Sequence, residues 1–207
     1  MATSQPISHI DTFKGSKEST DMIIAIIAIV ILVLLVIIWF AMYNGLVKKR
    51  NTVNEAYAQI DTQLQRRGDL IPNLVSTVKG YANHEAKVFH DIAELRSATD
   101  RARATGTVQD ASQAEAVFGR TMATLRATAE AYPELQASRN FQQLQEELAS
   151  TENKVGFARQ YYNSSTNNYN TAIQSVPNNI VASVHGFRPF EYFQVEESKR
   201  QAPDVSF

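Results

Sequence analysis

Residues 138–175 read SRNFQQLQEELASTENKVGFARQYYNSSTNNYNTAIQS, and their spacing decides the fold. Phe141, Leu144, Leu148, Thr151, Val155, Ala158, Tyr162, Ser165, Tyr169 and Ala172 recur at alternating intervals of three and four residues. A strand places every second residue on one face, whereas this period keeps a single stripe along a helix that seats against other helices. The stretch therefore predicts one helix of about 57 Å at ~1.5 Å per residue, ending before Pro177. The pattern is a heptad stripe of the coiled-coil kind. Its small and polar members, Thr151, Ala158 and Ser165, predict close approach of neighbouring backbones.

Matching stripes lie upstream. Val117, Phe118, Met122, Leu125 and Ala129 mark a weaker helix from near Asp110, which ends by Tyr132 because proline at 133 disfavours helical backbone in the residue before it. Thr105-Gly106-Thr107 reads as the preceding turn. Ile71, Leu74, Val78, Tyr81, Val88, Ile92 and Leu95 mark another helix that fades near Arg103, with Asp69 as its cap and Pro72 in its first turn. Leu46, Val53, Tyr57, Ile60 and Leu64 mark a further one, which Gly68 is expected to stop after Arg66 and Arg67. Gly80, inside a helix, costs ~1 kcal/mol relative to alanine and suggests a close crossing or a kink. No convincing strand is found. The expected fold is all-α: one N-terminal transmembrane helix, then an antiparallel bundle of about four long helices that bury one another's stripes.

Downstream of Pro177, residues 178–186 are short of helix signals. Phe187-Arg188-Pro189-Phe190-Glu191-Tyr192-Phe193 then holds four aromatics in seven residues, which should pack back on the bundle. Tyr161, Tyr162, Asn163, Asn167, Asn168, Tyr169 and Asn170 are an odd composition for a helix, since asparagine is a poor helix former. Two readings stand: a polar interaction face, or a hydrogen-bonded helix end facing 187–193.

Met22–Met42, MIIAIIAIVILVLLVIIWFAM, contains no charged residue and would span about 31 Å as a helix, matching a ~30 Å hydrocarbon core. It is longer than the ~7–15 apolar residues of a cleavable signal and leaves through Trp39, Phe40 and Tyr43, which suit an interfacial belt. Lys48, Lys49 and Arg50 follow it, against Lys14 and Lys17 before it, so the basic excess places the C-terminal part in the cytoplasm and the N-terminus outside. The expected organisation is a polar, disordered tail over 1–21, the transmembrane helix over 22–42, the bundle over 43–193 and an extended tail over 194–207. Lys48, Lys49 and Arg50 are also candidate contacts to anionic headgroups.

The 207 residues carry 20 basic and 21 acidic side chains. Residues 43–207 are neutral, without the basic excess that neutralises phosphates, so a nucleic-acid partner is not expected. The chain has no cysteine, which excludes disulfides, thiolate metal sites and a cysteine nucleophile. Metal-binding four-helix bundles use Glu-x-x-His, and none of the four histidines has a glutamate three residues before it. His84, Glu85, His90 and Glu94 are the nearest thing to an enzymatic site. Gly-rich phosphate loops and nucleophile elbows are missing from the sequence. No catalytic, cofactor or metal residue is assigned.

The sequence resembles the LemA family. The resemblance rests on Tyr43-Asn44, Leu46-Val47, Arg50-Asn51, Ile60-Asp61-Thr62-Gln63-Leu64 and Arg66-Arg67. It continues through Asp69-Leu70-Ile71-Pro72-Asn73-Leu74-Val75 and Val78-Lys79-Gly80-Tyr81-Ala82, then His84-Glu85, Ala129-Glu130-Ala131-Tyr132-Pro133, Ala158-Arg159-Gln160-Tyr161-Tyr162-Asn163 and Tyr169-Asn170. It covers residues 22 to about 193, and Gly68 departs from the family pattern. It implies a bacterial, single-pass inner-membrane protein with an exterior N-terminus and a cytoplasmic helical domain, and it supplies no reaction or cofactor.

The functional expectation is a non-enzymatic scaffold or interaction module whose partners are the lipid bilayer and an unidentified protein or further copies of the chain. Self-assembly that remodels the membrane, or an enzyme with an atypical His/Glu site, are the alternatives. At the C-terminus, Val205 and Phe207 would point to one side of an extended strand and could dock on a partner's sheet edge.

Overall fold

A computed structural model describes residues 9–82 and 84–193. Six helices follow in order: α1 (His9–Tyr81), α2 (Ala86–Thr105), α3 (Val108–Ala131), α4 (Pro133–Ala137), α5 (Arg139–Gln174) and α6 (Asn178–Val184). There is no strand among the described residues. α1 runs against α5 beyond the apolar segment, α2 against α3, and α1–α2 contacts join the two pairs. All ten members of the stripe that defined α5 are buried.

The helix expected to stop at Gly68 does not stop. α1 continues through Gly68, Asp69 and Pro72 to Tyr81, so Asp69 caps nothing and Arg67 is not at a helix end. The reason is register. Ile60, Leu64, Arg67, Ile71, Leu74 and Val78 are all buried and follow one another at intervals of four, three, four, three and four, so a single stripe crosses the supposed boundary. Pro72 forfeits one backbone hydrogen bond, to the Gly68 carbonyl, and packing of the stripe outweighs that loss.

The reversal falls instead between α1 and α2, around Ala82, His84 and Glu85. Gly80 is no close crossing: it lies in the last turn of α1, and a Cβ there would meet nothing within 4 Å. α1 also begins at His9, inside the segment read as a disordered tail, because extending a helix already nucleated by the apolar run costs little per residue.

The other boundaries follow local chemistry. Gly106 closes α2 with φ 61°, a left-handed conformation that glycine tolerates best. Thr107 caps α3 by accepting from the Asp110 N–H (3.2 Å), while the Asp110 carboxylate accepts from the Thr107 hydroxyl (2.8 Å). The hydroxyls of Thr105 and Thr107 hold the Asp110 carboxyl below its ordinary pKa. α6 forms where few helix signals were found, with Val181 and Ala182 turned inward.

The core has two parts. The one nearer the apolar segment is built on Leu46, Val53, Ala56, Ile60 and Leu64 of α1 with Tyr162, Tyr169 and Ile173 of α5 and Val181 of α6. The distal one holds Ile71, Leu74 and Val78 with Val88, Ile92, Leu95, Phe118, Leu125, Phe141 and Leu148.

Candidate functional site

Between Met22 and Ile38 every side chain is exposed. Among the described residues nothing covers this surface, which is long and apolar enough to cross a membrane. The bundle begins within the same segment: Trp39 and Met42 pack against the near core together with Tyr43. The Trp39 indole N–H donates to His185 Nε2 (3.3 Å), just after α6. The Tyr43 ring lies 4.7 Å from the His185 ring and 5.8 Å from that of Phe187. The Arg50 guanidinium sits 5.4 Å over Phe187. Lys48, Lys49 and Arg50 are exposed about 9–12 Å beyond Met42 along α1.

Residues 187–193 run back along α5 and are held by a repeated pair. Asn170 donates through Nδ2 to the Phe190 carbonyl (2.9 Å) and accepts from the Phe190 N–H (2.9 Å). Asn163 does the same with Phe193, at 3.1 and 2.8 Å. The neighbouring tyrosines add hydroxyl bonds, Tyr169 to the Arg188 carbonyl (3.1 Å) and Tyr162 to the Glu191 carbonyl (2.9 Å). The spacings agree physically. Seven helical residues rise about 10.5 Å, and three extended residues span about 10 Å, so Tyr-Asn repeated every seven positions meets backbone groups three residues apart. A primary amide copies the donor and acceptor of a peptide group, so each asparagine closes a ladder rung that a strand would have supplied. Phe193 is buried by this arrangement, while Tyr192 stays exposed. Burial raises the pKa of both clamp tyrosines above the ordinary value of 10.0. The asparagine density is therefore a clamp, the second of the two readings.

The two cores are divided by charge. Arg67, with no exposed side-chain surface, pairs with Glu115 of α3, and its guanidinium lies 3.6 Å over the Phe118 ring. Arg159 of α5 approaches the other carboxylate oxygen at 3.8 Å and lies 5.2 Å from the Phe193 ring. One carboxylate thus joins α1, α3 and α5. Sequence reading missed this layer, although the signal was present: Arg67 occupies a stripe position between Leu64 and Ile71.

The sequence's nearest approach to an enzymatic site does not assemble. Glu85 accepts from the Tyr132 hydroxyl (2.9 Å), a bond that raises the Tyr132 pKa, and Glu94 is paired with Arg120 (2.9 Å). His84 and His90 are exposed. Among the described residues no three His, Asp or Glu side chains come together as a metal site. A shallow groove of about 430 Å³ lies between α1 and α5, lined by Gln59, Thr62, Gln63, Lys154, Phe157 and Tyr161. Phe157 there is 71% exposed. Val205 and Phe207 lie outside the described residues.

Magnetosome proteins MamQ 1 and MamQ 2 of Paramagnetospirillum magneticum are each 25% identical over 175 residues, which is 73% of this chain and 64% of theirs. The chain thus spans less than two thirds of the length of those relatives. Protein LemA of Metamycoplasma hominis is 25% identical over 171 residues, 82% of this chain and 76% of that protein. The model of the LemA family matches residues 56–207, taking in the buried charge layer, the clamp and every helix after α1. By that match the chain belongs to the LemA family.

Proposed function

We propose that this chain is a membrane-anchored, non-enzymatic interaction module, with its N-terminus outside the cell and its bundle on the cytoplasmic side. The observation that carries the reading is the continuity of α1. One helix leaves the apolar segment and becomes the central element of the bundle, with Trp39 and Met42 already packed against the near core. Such a joint holds the domain at a fixed angle to the bilayer, which serves presentation of a surface to a protein partner or to further copies. The basic run Lys48–Arg50 supports the orientation through the excess of positive charge on the cytoplasmic side, and it stands within reach of anionic headgroups. The exposed Phe157 beside Tyr161 is the surface best suited to a partner, because large aromatic rings dominate interface energetics.

Amine-directed cross-linking in native membranes tests the reading, since Lys154 lines the Phe157 groove. Intermolecular links from Lys154 that weaken in Phe157→Ser are expected. A bundle that cross-links only within itself would overturn the proposal. Protease added to spheroplasts should leave residues 43–193 intact, and their removal would reverse the orientation. Bound stoichiometric metal that is lost on His84→Ala or His90→Ala would favour the enzymatic alternative.

A further inference from the structure

α6 lies at the base of the bundle. α5 descends to Gln174, α6 follows, and residues 187–193 climb back along α5 through the Tyr-Asn clamps. Its far end abuts the apolar segment, because His185, directly after Val184, accepts the indole proton of Trp39. α6 also has two unlike flanks. Successive helical residues are ~100° apart, so with Val181 and Ala182 turned into the core, Ile180 and Val184 fall on one flank and Asn179 on the other. Ile180 and Val184 are 56% and 66% exposed, and Val176, just upstream, is 80% exposed. Three branched aliphatic side chains thus stand exposed beside the segment that is long and apolar enough to cross a bilayer.

We propose that α6 is a second membrane contact, with Val176, Ile180 and Val184 seated in the boundary between headgroups and acyl chains. The occupant follows from position. A helix whose end is hydrogen-bonded to a residue of the apolar segment sits at the level where that segment leaves the hydrocarbon, and short amphipathic elements lie in that plane with their apolar side down. Asn179, ~100° from Ile180 and ~140° from Val184 around the helix, then faces water and headgroups. Exposed Arg188 and the Lys48–Lys49 pair supply positive charge close to the same level. The contact rests on the anchoring of residues 22–42, and it adds a second fixed point that sets which side of the bundle faces the membrane.

The chain contains no cysteine, so single nitroxide labels can be placed without first replacing a native cysteine. Val184→Cys, Ile180→Cys, Asn179→Cys and Val33→Cys are reconstituted in phosphatidylethanolamine/phosphatidylglycerol vesicles. Relaxation by oxygen, which concentrates in lipid, is compared with relaxation by a water-soluble nickel chelate. All four positions are exposed, and circular dichroism checks that each labelled protein remains helical. Val33→Cys reports anchoring alone and should favour oxygen. The expected result is that oxygen dominates at Val184→Cys and Ile180→Cys, with the ratio reversed at Asn179→Cys. Chelate-dominated relaxation at Val184→Cys and Ile180→Cys, with Val33→Cys still favouring oxygen, overturns the α6 contact and leaves the anchor standing. Labels at Val184 and Ile180 shielded from both reagents would mean that a second copy covers the flank, and this also overturns it. Chelate-dominated relaxation at Val33→Cys would refute the anchoring itself.

Discussion

Replacing Glu115 with alanine removes the carboxylate that Arg67 and Arg159 share, and the two arginines respond differently. Arg159 keeps about a quarter of its side-chain surface exposed and can turn to water. Arg67 has none exposed, and its Nε and Nη2 find no acceptor among the described residues, so the Phe118 ring would be its remaining favourable contact there. Leaving a buried charge without its partner costs about 3–5 kcal/mol. For a domain of about 150 residues each kcal/mol shifts the Tm by about 2–4 °C, so Glu115→Ala should lower it by roughly 6–20 °C. The full chain is melted in detergent micelles and followed by circular dichroism. The decisive variant is Arg67→Met with Glu115→Leu, which removes both charges and fills similar space. It should recover most of the loss or exceed the parent, because the two ions no longer have to be desolvated. A double variant as unstable as Glu115→Ala, or a Glu115→Ala loss below about 1 kcal/mol, would refute this account of the charge layer.

Gly68→Ala should raise stability by about 0.5–1 kcal/mol, because the position is helical and a Cβ would meet only Thr99 Cγ2, at an ordinary 3.5 Å; a lower urea midpoint would contradict the unbroken α1. Asn170→Ala strips both backbone groups of Phe190 of their partners, at about 1–3 kcal/mol. Hydrogen exchange at Phe190 should then accelerate by roughly five- to 150-fold with helicity unchanged, whereas unaltered exchange would show the clamp to be unnecessary. Tyr162 and Tyr169 have folded pKa values raised chiefly by burial, so their contribution is complete below the unfolded value near 10.0 and is lost as pH rises through the folded values. Urea midpoints should therefore fall above pH 10, and Tyr162→Phe with Tyr169→Phe should flatten that fall; an equal alkaline loss in the double variant would assign it elsewhere.

What the sequence made legible follows from the strength of local periodicity. α5 was read almost to the residue, because its stripe is long and Pro177 lies just past its end. The turn at Thr105-Gly106-Thr107 was equally plain, since glycine and a capping threonine each act locally. Gly68 misled because glycine and two arginines form a good stop signal wherever packing is silent, and here packing was not. Arg67 hid in the stripe because a charge at a core position breaks the apolar rule by which stripes are recognised. α6 has only seven residues, too few for a period to emerge. The Tyr-Asn pairs were conspicuous as composition, but their targets are backbone atoms of Phe190 and Phe193, and backbone groups leave no mark on residue identity.

The missing stalk gives the molecule a mechanical property. Trp39 and Met42 of the apolar segment pack against the bundle core and α1 runs unbroken between them and it, so no hinge separates the two and a tilt of one is a tilt of the other. Between Met42 and Ile71, before Pro72, α1 extends about 43 Å. A transmembrane helix leaning by about 20° would carry the level of Ile71 sideways by roughly 15 Å. Lean is how a long apolar segment adapts to bilayer thickness: thin membranes lay it over and thick ones draw it upright. With the apolar segment seated in lipid, the bundle would be the long arm of a lever, and a few ångströms of change in bilayer thickness would become a much larger sideways displacement at the level of Ile71.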